Sequence, residues 1–173
     1  MNAAPALARS AGLDTTPRFL IEVGAKAGTP DAAGAGVLAQ LPTLGIAGAR
    51  EVRVNALYEV RGRLTANQVT QIAKDLLCDP VTQEYRLDRA SSPVLAPLGP
   101  HWRLEVWLKA SMTDPTGESV RKGVKDLGLP EPTVVRSGTA YQIFGKLQKS
   151  QADRVLERLL ANPVIHRTLA EPR

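Results

Sequence analysis

The chain repeats itself. Arg158–Arg167 reads RLLANPVIHR, and Asp75–Glu84, 83 residues earlier, reads DLLCDPVTQE. Leu76-Leu77 matches Leu159-Leu160, and Pro80-Val81 matches Pro163-Val164. With the same shift of 83 and no gap, Phe19–Leu87 and Trp102–Ala170 agree at 19 of 69 positions. The agreements fall at telling places: Glu22/Glu105, Lys26/Lys109, Asp31/Asp114, Gly34/Gly117, Gly45/Gly128, Arg53/Arg136 and Tyr58/Tyr141. A chain built twice at one spacing folds as two copies of one small unit.

The pattern within each copy sets the class. Phe19, Ile21, Val23 and Ala25 alternate, as Trp102, Leu104, Val106 and Leu108 do, which predicts half-buried strands. Thr29-Pro30 reads as the N-cap and first turn of a helix over Ala32–Leu44, shortened or kinked at Pro42 and stopped at Gly45. Asp114-Pro115 caps its counterpart, which carries Val120, Val124 and Leu127 and stops at Gly128. Ala49–Ala56 and Leu57–Leu64 read as consecutive strands turning near Asn55, and Thr133–Ser137 and Thr139–Leu147 as their equivalents. Asn67 and Ser150 are the expected caps of second helices, the latter with Asp153 as a capping-box partner. Val69, Ile72, Ala73, Leu76 and Leu77 make the apolar face of the first. Asp79-Pro80 ends it, and Val81–Leu87 and Val164–Leu169 close the units. Each copy is therefore βαββαβ, an α+β layout with helices on one face of an antiparallel sheet.

The expected organisation is a loose N-terminal arm at 1–17, a first unit at 18–88, a Pro-rich linker at 89–101 and a second unit at 102–173. A unit of this size buries little core alone, so the two should pack on each other. Hydrophobic residues make up 43% of the chain, enough for a folded core, and no apolar run approaches the ~20 residues a membrane span needs. With one cysteine, Cys78, neither an intrachain disulfide nor a Cys-based metal cluster can form. A cytoplasmic protein is the simplest expectation.

The residues offer little chemistry. His101 falls in the linker and His166 on the last strand, neither beside a carboxylate at metal-ligand spacing. Cys78 reads as a partly buried, inert thiol, and no serine has nucleophile-elbow context. No phosphate-binding loop occurs. The amides of Asp114-Pro115-Thr116-Gly117 could meet an anion, but the Asp114 carboxylate caps them itself. The net charge of +5 is spread among acids rather than gathered into a basic run, so no nucleic-acid patch is expected. Tyr58 and Tyr141 suit a core or interface role better than base stacking. Arg53 and Arg136, the repeated arginines, fit a solvated strand face, a surface ion pair or a contact to a protein partner.

Several phrases resemble a known family. The strand Leu104–Lys109 entering Thr113-Asp114-Pro115-Thr116-Gly117, the helix to Gly128, Val135-Arg136-Ser137-Gly138, Tyr141 and Leu159-Leu160-Ala161-Asn162-Pro163-Val164-Ile165 look like the PurS subunit of phosphoribosylformylglycinamidine synthase. The first half resembles a diverged PurS unit, with Pro30 before Asp31 instead of after it. The resemblance implies a subunit without catalytic residues or cofactor of its own, in an ATP-dependent, glutamine-using carbon–nitrogen ligase of purine biosynthesis. It implies bridging between the synthetase subunit PurL, which would hold ATP and Mg, and the glutaminase subunit PurQ, with a role in ammonia transfer. The ordinary family member dimerises, so a tandem chain should form an intramolecular pseudo-dimer. The candidate partner interface is Asp114, Pro115, Gly117, Arg53, Arg136, Tyr58, Tyr141, Asn162 and Pro163. Two competing readings are a small-molecule-binding regulatory α+β module, and an RNA-binding protein whose retention would depend on salt.

Overall fold

The computed structural model describes residues 16–87 and 99–173. The expected arm, apart from its last residues, and most of the expected linker lie outside them. The first unit runs β1 (Arg18–Ala25), α1 (Ala32–Gln40), β2 (Ala49–Arg61), α2 (Ala66–Ile72) and β3 (Gln83–Leu87). The second runs β4 (His101–Leu108), α3 (Pro115–Asp126), β5 (Val134–Gly145), α4 (Lys149–Val155) and β6 (His166–Pro172). All six strands join one antiparallel sheet in the order β3-β1-β2-β5-β4-β6. No helix among the described residues is long and apolar enough to cross a membrane.

The seam between the units is the pairing of β2 with β5, from Ala49↔Gly145 to Arg61↔Val134. Ala56 pairs with Thr139, its own counterpart under the shift of 83, so the pseudo-twofold axis passes between them. The chain is an intramolecular pseudo-dimer.

The helices all lie on one face, and they cross the seam. One core joins Ile21, Val23 and Val60 to α2, and α3 of the other unit closes it with Val120 and Val124. The second joins Leu104, Val106 and Ile143 to α4, and Leu41 and Ile46, which follow α1, close it. Each unit thus lends its first helical segment to the core built mainly by its partner. The reason is the length of the central strands. Each helix packs on its own long strand, at the part that reaches past the axis.

Two repeated aspartates fix those helices. Asp31 Oδ1 accepts from Gly34 N at 2.7 Å and caps α1, while Oδ2 accepts from Val54 N at 2.7 Å. Asp114 does the same for Gly117 N (2.8 Å) and Ser137 N (2.6 Å), and also accepts from Ser137 Oγ. Val54 and Ser137 lie just past the last residues that β1 and β4 pair, so each carboxylate takes over an amide that the neighbouring strand no longer meets. Gly34 and Gly117 allow the approach: a Cβ there would sit 2.0 and 2.4 Å from the carbonyl oxygens of Val52 and Val135.

Several local expectations change. Asp31, not Thr29, caps α1; Thr65 and Gln148, not Asn67 and Ser150, cap α2 and α4. Thr65 forms a capping box with Gln68, and at α4 Gln151, in place of Asp153, accepts from the Gln148 amide through Oε1. The two short strands expected in the middle of each unit run on as one, because Asn55 and Gly138 continue the ladder instead of turning it. Pro42 does end the α-helix, and Leu41–Leu44 tightens into a 3-10 turn before left-handed Gly45 at φ 72°. Gly128 repeats this at φ 74°.

Removing the Asp114 carboxylate should cost more than an ordinary cap. Asp114→Ala loses a cap worth about 1 kcal/mol and orphans a strand amide worth about 1–3 kcal/mol. Thr65→Ala, at the exposed cap of α2, should cost about 1 kcal/mol. Urea unfolding of the full chain measures both, and equal losses would contradict the double role of Asp114.

Candidate functional site

The face of the sheet opposite the helices holds an unusual set of buried polar groups. Glu22, Asn55, Glu59, Arg103, Glu105 and Gln142 are all buried. With them lies a small apolar cluster of Leu57, Trp107 and Ala140, to which no helix contributes. Alternation puts them there, since the residues between them on each strand serve the helix-side cores.

Arg103 is the knot. Its Nη1 and Nη2 donate to the two oxygens of Glu22, each at 3.0 Å, and its Nε donates to Glu105 Oε1 at 2.8 Å. Asn55 Nδ2 donates to Glu22 Oε1 at 2.6 Å, and Trp107 Nε1 to Glu105 Oε2 at 2.9 Å. The bidentate bridge spans 81 residues of sequence and ties the first unit to the second. Burial pushes the Glu22 carboxyl up, but the guanidinium of Arg103, with help from Asn55, outweighs it and holds the group below its ordinary value. Burial likewise opposes the charge on Arg103, and the two carboxylates more than restore it. The network breaks the pseudo-symmetry: Glu22 and Glu105 are counterparts, but the counterpart of Arg103 is Leu20.

The nine residues singled out from the sequence do not form one patch. Asp114 is buried, and Gly117 is pressed against β5, so both serve the fold. Pro115 is exposed at the first turn of α3. Tyr58 and Tyr141 lie half-buried on the helix side, one against each core, and burial raises both phenol pKa values. The arginines lie at opposite ends of the open face. Arg53 pairs with Glu51 at 2.6 Å and covers the Phe144 ring at 5.3 Å. Arg136 donates to the carbonyls of Ala110 and Met112.

Asn162 and Pro163 belong to an exposed tip, and that tip is repeated. Asp79 Oδ1 accepts from Val81 N, and Asn162 Oδ1 accepts from Val164 N, so both tips are Asx turns. Lys26 Nζ donates to Pro80 O, and Lys109 Nζ to Pro163 O, both at 2.5 Å. The strands expected to begin at Val81 and Val164 begin two residues later, and this leaves those valines 79% and 74% exposed. Each end of the sheet therefore carries the same set: a Pro-Val tip, the lysine that clamps it, and the repeated arginine. Lys26 and Arg53 line one cavity, and Arg136 donates to the residue after Lys109. The signal that could have found the lysines and valines was in the duplication, where all four are identities.

Among the described residues, no group of three or more His, Cys, Asp or Glu is placed to hold a metal ion. Cys78 is partly exposed, and burial is the largest of the effects that push its thiol up.

Comparison with known proteins gives one family. The model of PurS, phosphoribosylformylglycinamidine (FGAM) synthase, matches twice, over residues 18–91 and 101–171. The matches begin at the first residues of β1 and β4. No curated protein matches the chain.

The Glu22–Arg103 bridge sets an acid response. A depressed carboxyl pKa contributes stability that is present above the unfolded value, here 4.5, and is lost as pH falls through the folded value. Arg103→Met should destabilise the chain by about 3 kcal/mol at pH 7, because it strands two buried carboxylates. The gap between wild type and Arg103→Met should narrow as pH falls below the ordinary carboxylate range. Urea titrations from pH 7 to pH 3 measure it, and a gap that does not change would contradict the bridge.

Proposed function

The chain belongs to the PurS family of phosphoribosylformylglycinamidine synthase, and from that membership we propose that it is a non-catalytic assembly subunit of this enzyme of purine biosynthesis. It bridges the ATP-dependent synthetase, PurL, and the glutaminase, PurQ, and helps ammonia pass between them. ATP and Mg belong to the synthetase. The observation that supports bridging is the repeat of one exposed apparatus at both ends of a single sheet. Val81 and Val164 survive in both copies although most positions have diverged, and neither is buried by its own chain. An apolar residue held out on a lysine-clamped turn suits insertion into a partner's pocket.

Covalent linkage has a consequence for assembly. An ordinary dimer must present the same patch twice, whereas a tandem chain can specialise its ends. It also replaces a concentration-dependent association by one at roughly millimolar effective concentration.

Co-purification with endogenous partners in the presence of glutamine, magnesium and ADP tests the reading. Recovery of an ATP-dependent synthetase is expected, and failure to recover one would sink it. Val81→Asp and Val164→Asp, made separately in the full chain, should each weaken complex formation by about tenfold or more at the end that inserts, since a buried valine contributes about 1.5–3 kcal/mol. If neither variant changes affinity, the tips are not the contact.

A further inference from the structure

The two ends of the open face differ in what fills them. At the second end Trp107 lies on Gly138, where an added Cβ would sit 2.6 Å from the indole. Trp107 is 3% exposed, and the Arg167 guanidinium covers its ring at 5.1 Å. The counterparts of Trp107, Gly138 and Arg167 are Gly24, Asn55 and Glu84. At the first end, therefore, no indole is present, and a cavity of about 290 Å³ opens beside Gly24.

The walls of this cavity hold both spent and unspent charge. Glu22 is engaged by Arg103, and Arg53 by Glu51. Arg86 and Glu84, two residues apart on β3 and so on the same face, are different. Among the described residues neither side chain makes a hydrogen bond or ion pair, yet both line the cavity. Arg86 is half-buried, and burial pulls its guanidinium below the ordinary arginine value against the attraction of Glu22 and Glu84. An arginine stays charged throughout the useful pH range, so this is a cation partly withdrawn from water without a bound counter-charge. Asn55 Nδ2 is committed to Glu22, and its Oδ1 points at Gly24, 2.3 Å from where a Cβ would lie.

We propose that this cavity binds a small zwitterion, a free α-amino acid, with its carboxylate on Arg86 and its ammonium on Glu84 beside Asn55 Oδ1. The planar fork of Arg86 matches a carboxylate, and Glu84 supplies the acceptor that an ammonium needs. The volume lies at the lower edge of the ~300–1,000 Å³ typical of ligand sites, which suits a molecule of this size. The Glu84 carboxylate on the cavity wall works against a dianion such as phosphate. The site exists at the first end of the face alone, since Trp107 fills the equivalent space at the second.

Thermal unfolding and calorimetry of the full chain test this with glycine, glutamine, glutamate, acetate and inorganic phosphate as probes. At saturation at least one of the amino acids should raise Tm by about 3 °C or more, and phosphate should not. Arg86→Leu, which installs the residue found at the equivalent position 169, should abolish the shift. Glu84→Gln should weaken amino-acid binding about tenfold or more, and the double change Gly24→Trp with Asn55→Gly should close the site. Stabilisation by phosphate alone, no response to any amino acid, or an unchanged response in Arg86→Leu would each overturn the proposal.

Discussion

The antiparallel pairing of β2 with β5 joins a strand to its own copy, and the other layers follow from it. A lone unit would present β2 as a long, unpaired edge, with a row of amides and carbonyls open to any other strand. Pairing the two copies removes both edges at once and places Ala56 against Thr139 on the axis. Because the paired strands are long, each unit's first helical segment rides past the axis and closes the other unit's core. Neither copy holds a complete core by itself. Duplication here produced one fold from two sequences rather than two domains in a row.

On the open face, divergence has worked within that frame. Glu22 and Glu105 remain in both copies, but only the second unit has an arginine between them in the network, and only it has an indole over the central glycine. One guanidinium satisfies a carboxylate from each unit, which an exactly repeated sheet would achieve only by placing two such arginines around the same axis. The asymmetry leaves one end filled and the other open. It keeps the Pro-Val pair of each tip and the lysine that clamps it, so the ends share that outward apparatus while differing in what lies behind it.

Much of this was legible in the residues. The duplication itself, the alternating strands, the helix faces and the stops at Gly45 and Gly128 follow from period and local conformational preference. Where the structure departs from the local pattern, the reasons are physical. Asn55 and Gly138 carry turn propensity, but Asn55 is committed to Glu22 and Gly138 makes room for Trp107, so tertiary packing overrides the local preference. Thr29-Pro30 satisfies the local rules for a cap, but the cap is Asp31, the residue the repeat pairs with Asp114. The Arg103–Glu22 bridge left no local trace: its partners are 81 residues apart and sit on strands separated by two others. Identity between copies marks fold determinants such as Asp114 and exposed residues such as Pro163 alike, so repetition by itself does not separate the two kinds.

The most direct test of the account is the cooperativity of unfolding. Hydrogen exchange of the full chain, followed across a urea series, should show amides of β2 and β5 near Leu57 and Ala140 opening only with global unfolding, and helices α1 and α3 losing protection together with the core each covers in the other unit. A single transition, the same by circular dichroism and by tryptophan fluorescence, should accompany it. Two separable transitions, with residues 18–87 and 101–172 exchanging as independent units, would contradict the claim that the two copies share one fold.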